Sequence, residues 1–354
     1  MDKETYESQK AFAGEKIPSM HRRMVGHDYQ ARQMYMITMV TEGRRPLFGQ
    51  VVGRSDGSPG TPEEPRIEPT ELGRRVEQCW HQIALRHPQI AVLAFQLMPD
   101  HFHGILFVKD RIDRPLGKVL LGFKQGCNKA FRALAPSVAV LQQQTKPDRK
   151  HGLLFEPSYN DKLLLQAGQL KRWNEYLNDN PRRLLMKREH PDLFRVQRGL
   201  TVGGLSFSAI GNRFLLQWPV LLQVQCSRRL TEAEIQERIA FFIKAAEKGA
   251  VLVSPSISPG EKAVMRAAFE RGFPLIVLQE NGFTDLAKPG GKRMEACAEG
   301  RLLILAPWEH HNEQRTIRRD QCLSLNEMAR TLCFVCCCNT ATNKTAADGT
   351  ETNI

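Results

Sequence analysis

Tyrosine is scarce in this chain: five occur in 354 residues, at positions 6, 29, 35, 159 and 176, and aromatic residues together make up 7%. Any chemistry that needs a phenol has only those five to draw on. No uninterrupted apolar run approaches membrane-spanning length, and the start lacks the basic-plus-apolar pattern of a secretory signal. A cytoplasmic protein without a membrane partner is therefore expected. No Gly-x-Gly-x-x-Gly or Walker pattern is present, so the usual signatures of dinucleotide and nucleoside-triphosphate sites are missing. The nine cysteines are odd in number and scattered over a chain without a leader, which argues against a disulfide framework and for reduced thiols.

What is present is a chain of ordinary globular composition, 42% hydrophobic and 25% charged, long enough for two cores. Its net charge of +12 is unevenly placed: residues 101–200 hold 19 Lys and Arg against 9 Asp and Glu. A basic surplus confined to one segment points to a polyanion, with nucleic acid as the first candidate. Solvated helix faces account for part of such a surplus in any basic protein.

The run Phe95–Val108, which contains Met98-Pro99-Asp100-His101-Phe102-His103-Gly104-Ile105-Leu106, reads as a buried strand. Alternation along a strand sends His101 and His103 to one face and Phe102 to the other. Two imidazoles side by side on a rigid strand can hold one metal ion and leave most of its coordination sphere open, as a catalytic site requires. Two solvated surface histidines are the plainer reading of the same pattern.

Further along, Gly168-Gln169-Leu170-Lys171-Arg172-Trp173-Asn174-Glu175-Tyr176-Leu177-Asn178-Asp179-Asn180 carries an apolar stripe at helical spacing, and Pro181 predicts that the helix ends at Asn180. Tyr176 and Asn180, four apart, share a face. The pair of motifs resembles the single-tyrosine HUH (His-hydrophobe-His) transposases, the group that includes the REP-associated tyrosine transposases. Met-Pro-Asp-His-Phe-His is similar to that group's histidine signature, with Asp100 where the group usually has Asn, and Glu-Tyr-Leu-x-x-Asn-Pro is similar to its Tyr-Ile-x-x-Asn-Pro segment. The resemblance covers roughly residues 30–195. It implies metal ligation by His101, His103 and Asn180, with Tyr176 as the nucleophile; Tyr159, on a loop beside the basic region, is the alternative. Lys124, Lys129, Arg132 and Arg172 are the basic residues expected to meet DNA.

Elsewhere, strands are expected at 33–41 and 47–52, a loop at 53–69, a helix from Thr70 to just before Pro88, and a helix over 116–134 that is apolar on one side and basic on the other. Beyond Arg195 the character changes. A strand over 214–225, a helix from Thr231 opened by a Thr-x-x-Glu capping box, and strands at 250–253, 274–278 and 301–306 imply β-α-β units and a parallel sheet. The loop 254–260 before a helix is where a Rossmann-like fold would bind phosphate, but Ser258-Pro259-Gly260-Glu261 is also simply a capping box, the reading preferred here. Cys333 and Cys336, with His310 and His311 upstream, are weak zinc candidates. The expected organisation is a flexible arm over 1–30, the transposase-like domain over 31–198, a Rossmann-like α/β domain over 199–332 that loosely resembles the DNA-processing Smf family, and a disordered tail over 333–354. The fold class is α+β, a ferredoxin-like antiparallel sheet with helices, followed by the smaller α/β domain.

The activity implied by the resemblance is transesterification of single-stranded DNA carrying a hairpin. Mg²⁺ or Mn²⁺ would stabilise charge at the scissile phosphate while Tyr176 forms a 5′-phosphotyrosine and leaves a free 3′ hydroxyl. A phenol of ordinary pKa, about 10, must shed its proton to the metal's field, to water or to a nearby base as it attacks. Dimers occur in related transposases, so a homodimer is compatible with the resemblance. Two other classes stay open: a DNA-binding regulator without catalysis, and a metal-dependent phosphohydrolase of a small substrate in which Tyr176 is only structural.

Overall fold

The computed structural model describes residues 24, 26–136, 153–285, 287–311 and 316–347, with side chains as far as Phe334. The chain divides into two compact units, Met1–Met186 and Lys187–Ile354.

The first unit is built on a four-stranded antiparallel sheet formed by β1 (Gln33–Val40), β4 (Ile90–Leu97), β5 (His101–Val108) and β6 (Asn160–Leu163), in the order β4-β5-β1-β6. A separate hairpin pairs β2 (Gly49–Val52) with β3 (Arg66–Pro69), so the loop expected over 53–69 ends in a strand. The segment Phe95–Val108, expected as one strand, is two. Pro99 has no N–H to give a ladder, and the chain reverses there through a Met98 N–H bond to the His101 carbonyl.

Two helices, α1 (Glu71–Arg86) and α2 (Leu116–Leu134), cover one face of this sheet. Helix α1 starts where Thr70 caps it by accepting a bond from the Gly73 N–H. Its stripe Leu72, Val76, Trp80 and Ile83 meets Leu116, Leu120, Phe123 and Phe131 of α2 over Tyr35, Ile37, Met39, Phe102 and Leu106 of the strands. The other face carries Met36, Ile105 and Leu164, which pack with Leu177 of α3 (Gln169–Glu189) and, at their edge, with Leu170 and Trp173.

Helix α3 does not stop at Asn180. Pro181 lies inside it, at the cost of one backbone bond and a clash worth about 3 kcal/mol. Pro181 itself and Leu185 and Met186 beyond it are buried, and that burial outweighs the local penalty.

The second unit is built on a six-stranded mixed sheet in the order β7-β8-β12-β11-β10-β9, comprising β7 (Gln197–Val202), β8 (Leu205–Gly211), β9 (Leu221–Gln223), β10 (Val251–Ser254), β11 (Leu275–Leu278) and β12 (Leu302–Ala306). Strands β9 to β12 are parallel, and β7 and β8 extend the sheet antiparallel. Helices α4 (Glu232–Glu247), α5 (Pro259–Glu270) and α6 (Lys292–Ala298) connect the parallel strands. Because each step moves one place in the same direction, right-handed crossovers put all three on one face. Leu325, Ala329 and Leu332 of α7 (Arg319–Ala347) cover the other, against Val253, Ile276 and Leu303.

Four expectations change here. The run 214–225 holds a 3-10 turn and only the short β9, since Pro219 interrupts the ladder. The β7–β8 hairpin begins before the expected domain boundary at 198. Helix α7 runs through residue 333, where a tail was expected to begin; residues 348–354 lie outside the described residues. Most of the arm expected over 1–30 lies outside them too, but its end is docked: Tyr29 stacks on Tyr35 with ring centroids 5.7 Å apart, and Arg111 donates to Asp28 at 2.7 Å.

Among the described residues no helix is long and apolar enough to cross a membrane.

Candidate nucleophile and metal site

The register of β1 on β5 places Thr38 opposite His103 and Val40 opposite His101. Since Phe102 and Leu106 face α1 and α2, His101, His103 and Thr38 face the other way, on the side packed by α3. The two imidazole rings stand edge to face, centroids 4.9 Å apart.

Each histidine is tied by its Nδ1. His101 Nδ1 lies 2.6 Å from Asp100 Oδ1, and His103 Nδ1 lies 2.7 Å from Thr38 Oγ1. A carboxylate only accepts, so Nδ1 of His101 carries a proton, and Nε2 is the atom left to meet a metal. The Thr38 hydroxyl can accept in the same way from His103. Neither Nε2 has a hydrogen-bond partner among the described residues. Asp100 is itself held on its second oxygen by Arg44, at 3.2 Å. Burial alone would raise the Asp100 carboxyl, but the hydrogen bond and charge of His101 and the charge of Arg44 outweigh it and hold the group below its usual range. Arg44 reaches it from a left-handed backbone, φ 52°, a conformation that a side chain other than glycine adopts at a cost.

Burial, then the neighbouring His101, push His103 down to about 3 from its ordinary 6.5, with Asp100 opposing. Its neutral form is therefore the one the fold accommodates. In the metal-free chain the unfolded state binds more protons between those two values. Stability is full above about pH 6.5 and falls as the pH drops toward 3, by up to about 1.4 kcal/mol per unit. A urea midpoint that declines less steeply between pH 7 and 5 in His103→Gln than in the wild type is the expected result.

Tyr176 comes from α3 to the same face. Its ring meets that of His103 at 6.2 Å and that of Trp173 at 5.4 Å, and the Arg183 guanidinium lies 5.5 Å from its centroid. It is 37% exposed, so it is open to solvent. Asn180 lies one turn further along α3. It is buried, its Nδ2 lacks a partner, and no hydrogen bond joins it to either histidine. Its amide can thus turn end for end without losing a bond. An orphaned amide on α3 and two imidazoles with open Nε2 atoms on β5 are donors of the kind that suit a divalent cation. Among the described residues no three His, Cys, Asp or Glu side chains form a metal cluster.

Of the other predicted residues, the structure brings only Arg172 to this face. Tyr159 packs against the core under α1 and α2. Lys124, expected to meet phosphate, is buried and donates to the carbonyls of Glu156, Pro157 and Ser158 at 2.8, 3.3 and 3.2 Å. All three ammonium protons are used, and burial pulls its pKa down to about 8; it fixes the segment that leads into β6. Lys129 and Arg132 are exposed but stand on α2, across the sheet. Arg172 alone lies beside the histidine face. Thr38, Arg44 and Arg183 were not singled out by sequence reasoning, because strand register and a turn's φ leave no mark in a single sequence.

In the second unit, Glu261 accepts from the N–H groups of Ile257, Ser258 and Cys226. A carboxylate of the chain thus fills the start of α5 where a phosphate would sit, which is the capping-box reading. His311 is held by Glu280 at 2.8 Å, and the side chain of Cys336 lies outside the described residues.

No family model matches the chain. A curated relative, an uncharacterised protein of Haemophilus influenzae, is 27% identical over 95 residues, 26% of this chain and 47% of that protein; the chain spans about half the length of this relative. DNA processing protein A from Helicobacter pylori, described for its single-stranded DNA binding mode, is similar to 40% of this chain over 66% of its own, with 18% identity and a TM-score of 0.30. DNA processing protein A from Streptococcus pneumoniae is similar to 58% of this chain over 75% of its own, at 14% identity and a TM-score of 0.30. A REP-associated tyrosine transposase bound to a REP hairpin is similar to 45% of this chain over 72% of its own, at 12% identity and a TM-score of 0.29.

Proposed function

We propose that the chain is a metal-dependent single-stranded DNA transesterase of the single-tyrosine HUH type, its first unit a ferredoxin-like nuclease domain and its second a Rossmann-like domain. The observation that carries this reading is the meeting of His101, His103 and Tyr176 on one sheet face, with both Nδ1 atoms tied and both Nε2 atoms open. His101, His103 and the Asn180 amide would hold Mn²⁺ or Mg²⁺, which would supply a positive field at the scissile phosphate.

The residues of the chain do the rest. Tyr176 Oη attacks phosphorus as the bond to the 3′ oxygen breaks. The phenol loses its proton, the departing oxygen gains one, and a 5′-phosphotyrosine remains to be rejoined. The Arg183 guanidinium lies over the ring of Tyr176, and Trp173 packs edge to face with it. Asp100 keeps the His101 proton on Nδ1 and raises the basicity of Nε2. A carboxylate in place of the family's usual Asn does this with a full negative charge, which Arg44 balances. The basic residues near α3 meet the strand, whose partner hairpin and any second copy of the chain complete the complex.

Incubation with hairpin-bearing single strands and Mn²⁺ should yield a covalent protein–DNA adduct. DNA binding with no adduct on any strand tested would favour a non-catalytic regulator instead. Asp100→Ala should weaken Mn²⁺ binding, read by calorimetry or by electron paramagnetic resonance, about 10- to 100-fold, as loss of a carboxylate behind a ligating histidine does. Asp100→Asn should fall between the two. Unchanged affinity in Asp100→Ala would remove Asp100 from the site.

A further inference from the structure

A cleft of about 720 Å³ opens beside Tyr176, and the reaction outlined above does not use it. Its walls come from three strands and one helix: Met36 and Thr38 of β1, His103 of β5, Asn160 to Lys162 of β6, and Gln169, Arg172 and Trp173 of α3. One end is therefore the reacting end, where His103 and Tyr176 stand. His101 does not line it, so it leads away from the histidine pair toward β6.

We propose that this cleft binds the base of a nucleotide next to the scissile phosphate, with Trp173 as the stacking surface and Gln169 as a fixed donor to the base edge. The inference rests on the transesterase reading and adds to it a site of substrate selection.

Three features fit a nucleobase. The first is the mixture of walls. Trp173 is half-buried and its ring lies beside the Tyr176 ring, while the exposed Lys162 ammonium lies over the indole face, 5.0 Å from its centroid, where a stacked base would displace it. A base has two π faces and polar edges, and aromatic walls with adjacent cations are how single strands are held. The second is charge. Lys162 and Arg172 are exposed at the cleft, placed to meet the phosphate on the far side of that base.

The third is the state of Gln169. Its Oε1 accepts from the Leu165 and Gln166 N–H groups at 2.8 and 3.1 Å. Two N–H donors on one oxygen settle which end of the amide is which, so Nε2 is the end left over, and it has no hydrogen-bond partner among the described residues. A donor held in one orientation reads an acceptor on a base edge. The volume is within the range of about 300–1,000 Å³ usual for small-molecule sites, so one base and its sugar are accommodated with water to spare.

The test uses the full chain and two readouts. In the first, single strands carrying 5-iodouracil at the positions flanking the cleavage point are bound to wild type and to Tyr176→Phe, irradiated, and the crosslinked peptide is identified by mass spectrometry. A crosslink at Trp173 in both proteins is expected. Crosslinks that map only outside residues 160–176, or no binding of any single strand, would overturn the inference.

In the second readout, an abasic site replaces each flanking nucleotide in turn, and adduct formation is followed. Loss of stacking should slow wild type about tenfold or more at one position. Trp173→Ala should be slow on the intact strand and indifferent to the abasic one, with Trp173→Phe restoring sensitivity. A merely structural Trp173 would leave the abasic penalty intact in the alanine variant, and that result would overturn the assignment. Adduct formation with no abasic effect at either position sinks the base site and leaves the transesterase reading standing. A Trp173 crosslink without any adduct does the reverse.

Discussion

Tyr176→Phe is expected to abolish the covalent DNA adduct, a loss of at least about a thousandfold in its rate of formation, as removal of a nucleophile does. The substitution deletes one oxygen and keeps the ring. The edge contact to His103, the contact to Trp173 and the guanidinium of Arg183 all address that ring, so folding and binding of single-stranded DNA should stay close to wild type. That separation is the point of the measurement: binding by fluorescence anisotropy persists while the adduct, read as a shifted band on a denaturing gel, disappears. Tyr159→Phe should keep the adduct, because Tyr159 packs into the core on the other face of the sheet. An adduct that survives in Tyr176→Phe would place the nucleophile elsewhere and with it the whole reading of the site.

The second large effect concerns Gly104, the residue that follows the histidine pair. A methyl group added there would lie 2.3 and 2.5 Å from the Cζ2 and Cε2 atoms of Trp80, far inside the sum of their radii. The indole has nowhere to go. It is fully buried, packs edge to face on Phe102 at 5.2 Å and Phe123 at 5.4 Å, and donates through Nε1 to the Ala94 carbonyl at 3.3 Å. Overpacking of a dense core usually costs about 1–3 kcal/mol, and a clash with a ring held on several sides belongs at or above the upper end. Gly104→Ala should therefore lower stability by about 3 kcal/mol or more in urea denaturation. The double variant Gly104→Ala with Trp80→Phe should recover part of the loss, the sign of a shared contact. A Gly104→Ala protein within about 1 kcal/mol of wild type would mean that the strand and α1 are not packed this closely. The same contact explains why a glycine follows His103: β5 can lie flat against α1 only if its central residue has no side chain on that face.

Local rules reach a definite distance in this chain. The Thr70 cap, the α2 stripe over Leu116–Leu134 and the capping boxes at Thr231 and Ser258 are legible because each depends on residues within one or two turns. Strand alternation likewise put His101 and His103 on one face, and helical spacing put Tyr176 and Asn180 on another. The polar edge strand β6 (Asn160–Leu163) escaped notice because an exposed strand of mixed polarity has no period to read. Pro181 misled for the opposite reason, since a strong local signal lost to burial further along the helix.

By itself, then, the sequence determined which residues are the candidates for chemistry: two histidines in a strand, a tyrosine on a helix, and an Asp where Asn was the expected neighbour. Only the tertiary structure decided what joins them. The 65-residue gap between Thr38 and His103 closes through strand register, Asp100 acquires its role by bonding to His101 Nδ1, and Lys124 is drawn away from any phosphate by three carbonyls. Those outcomes depend on which face of a sheet meets which helix, and that is settled by the packing of Trp80, Phe102 and Phe123 on one side and Leu177 on the other, through contacts between residues far apart in the chain.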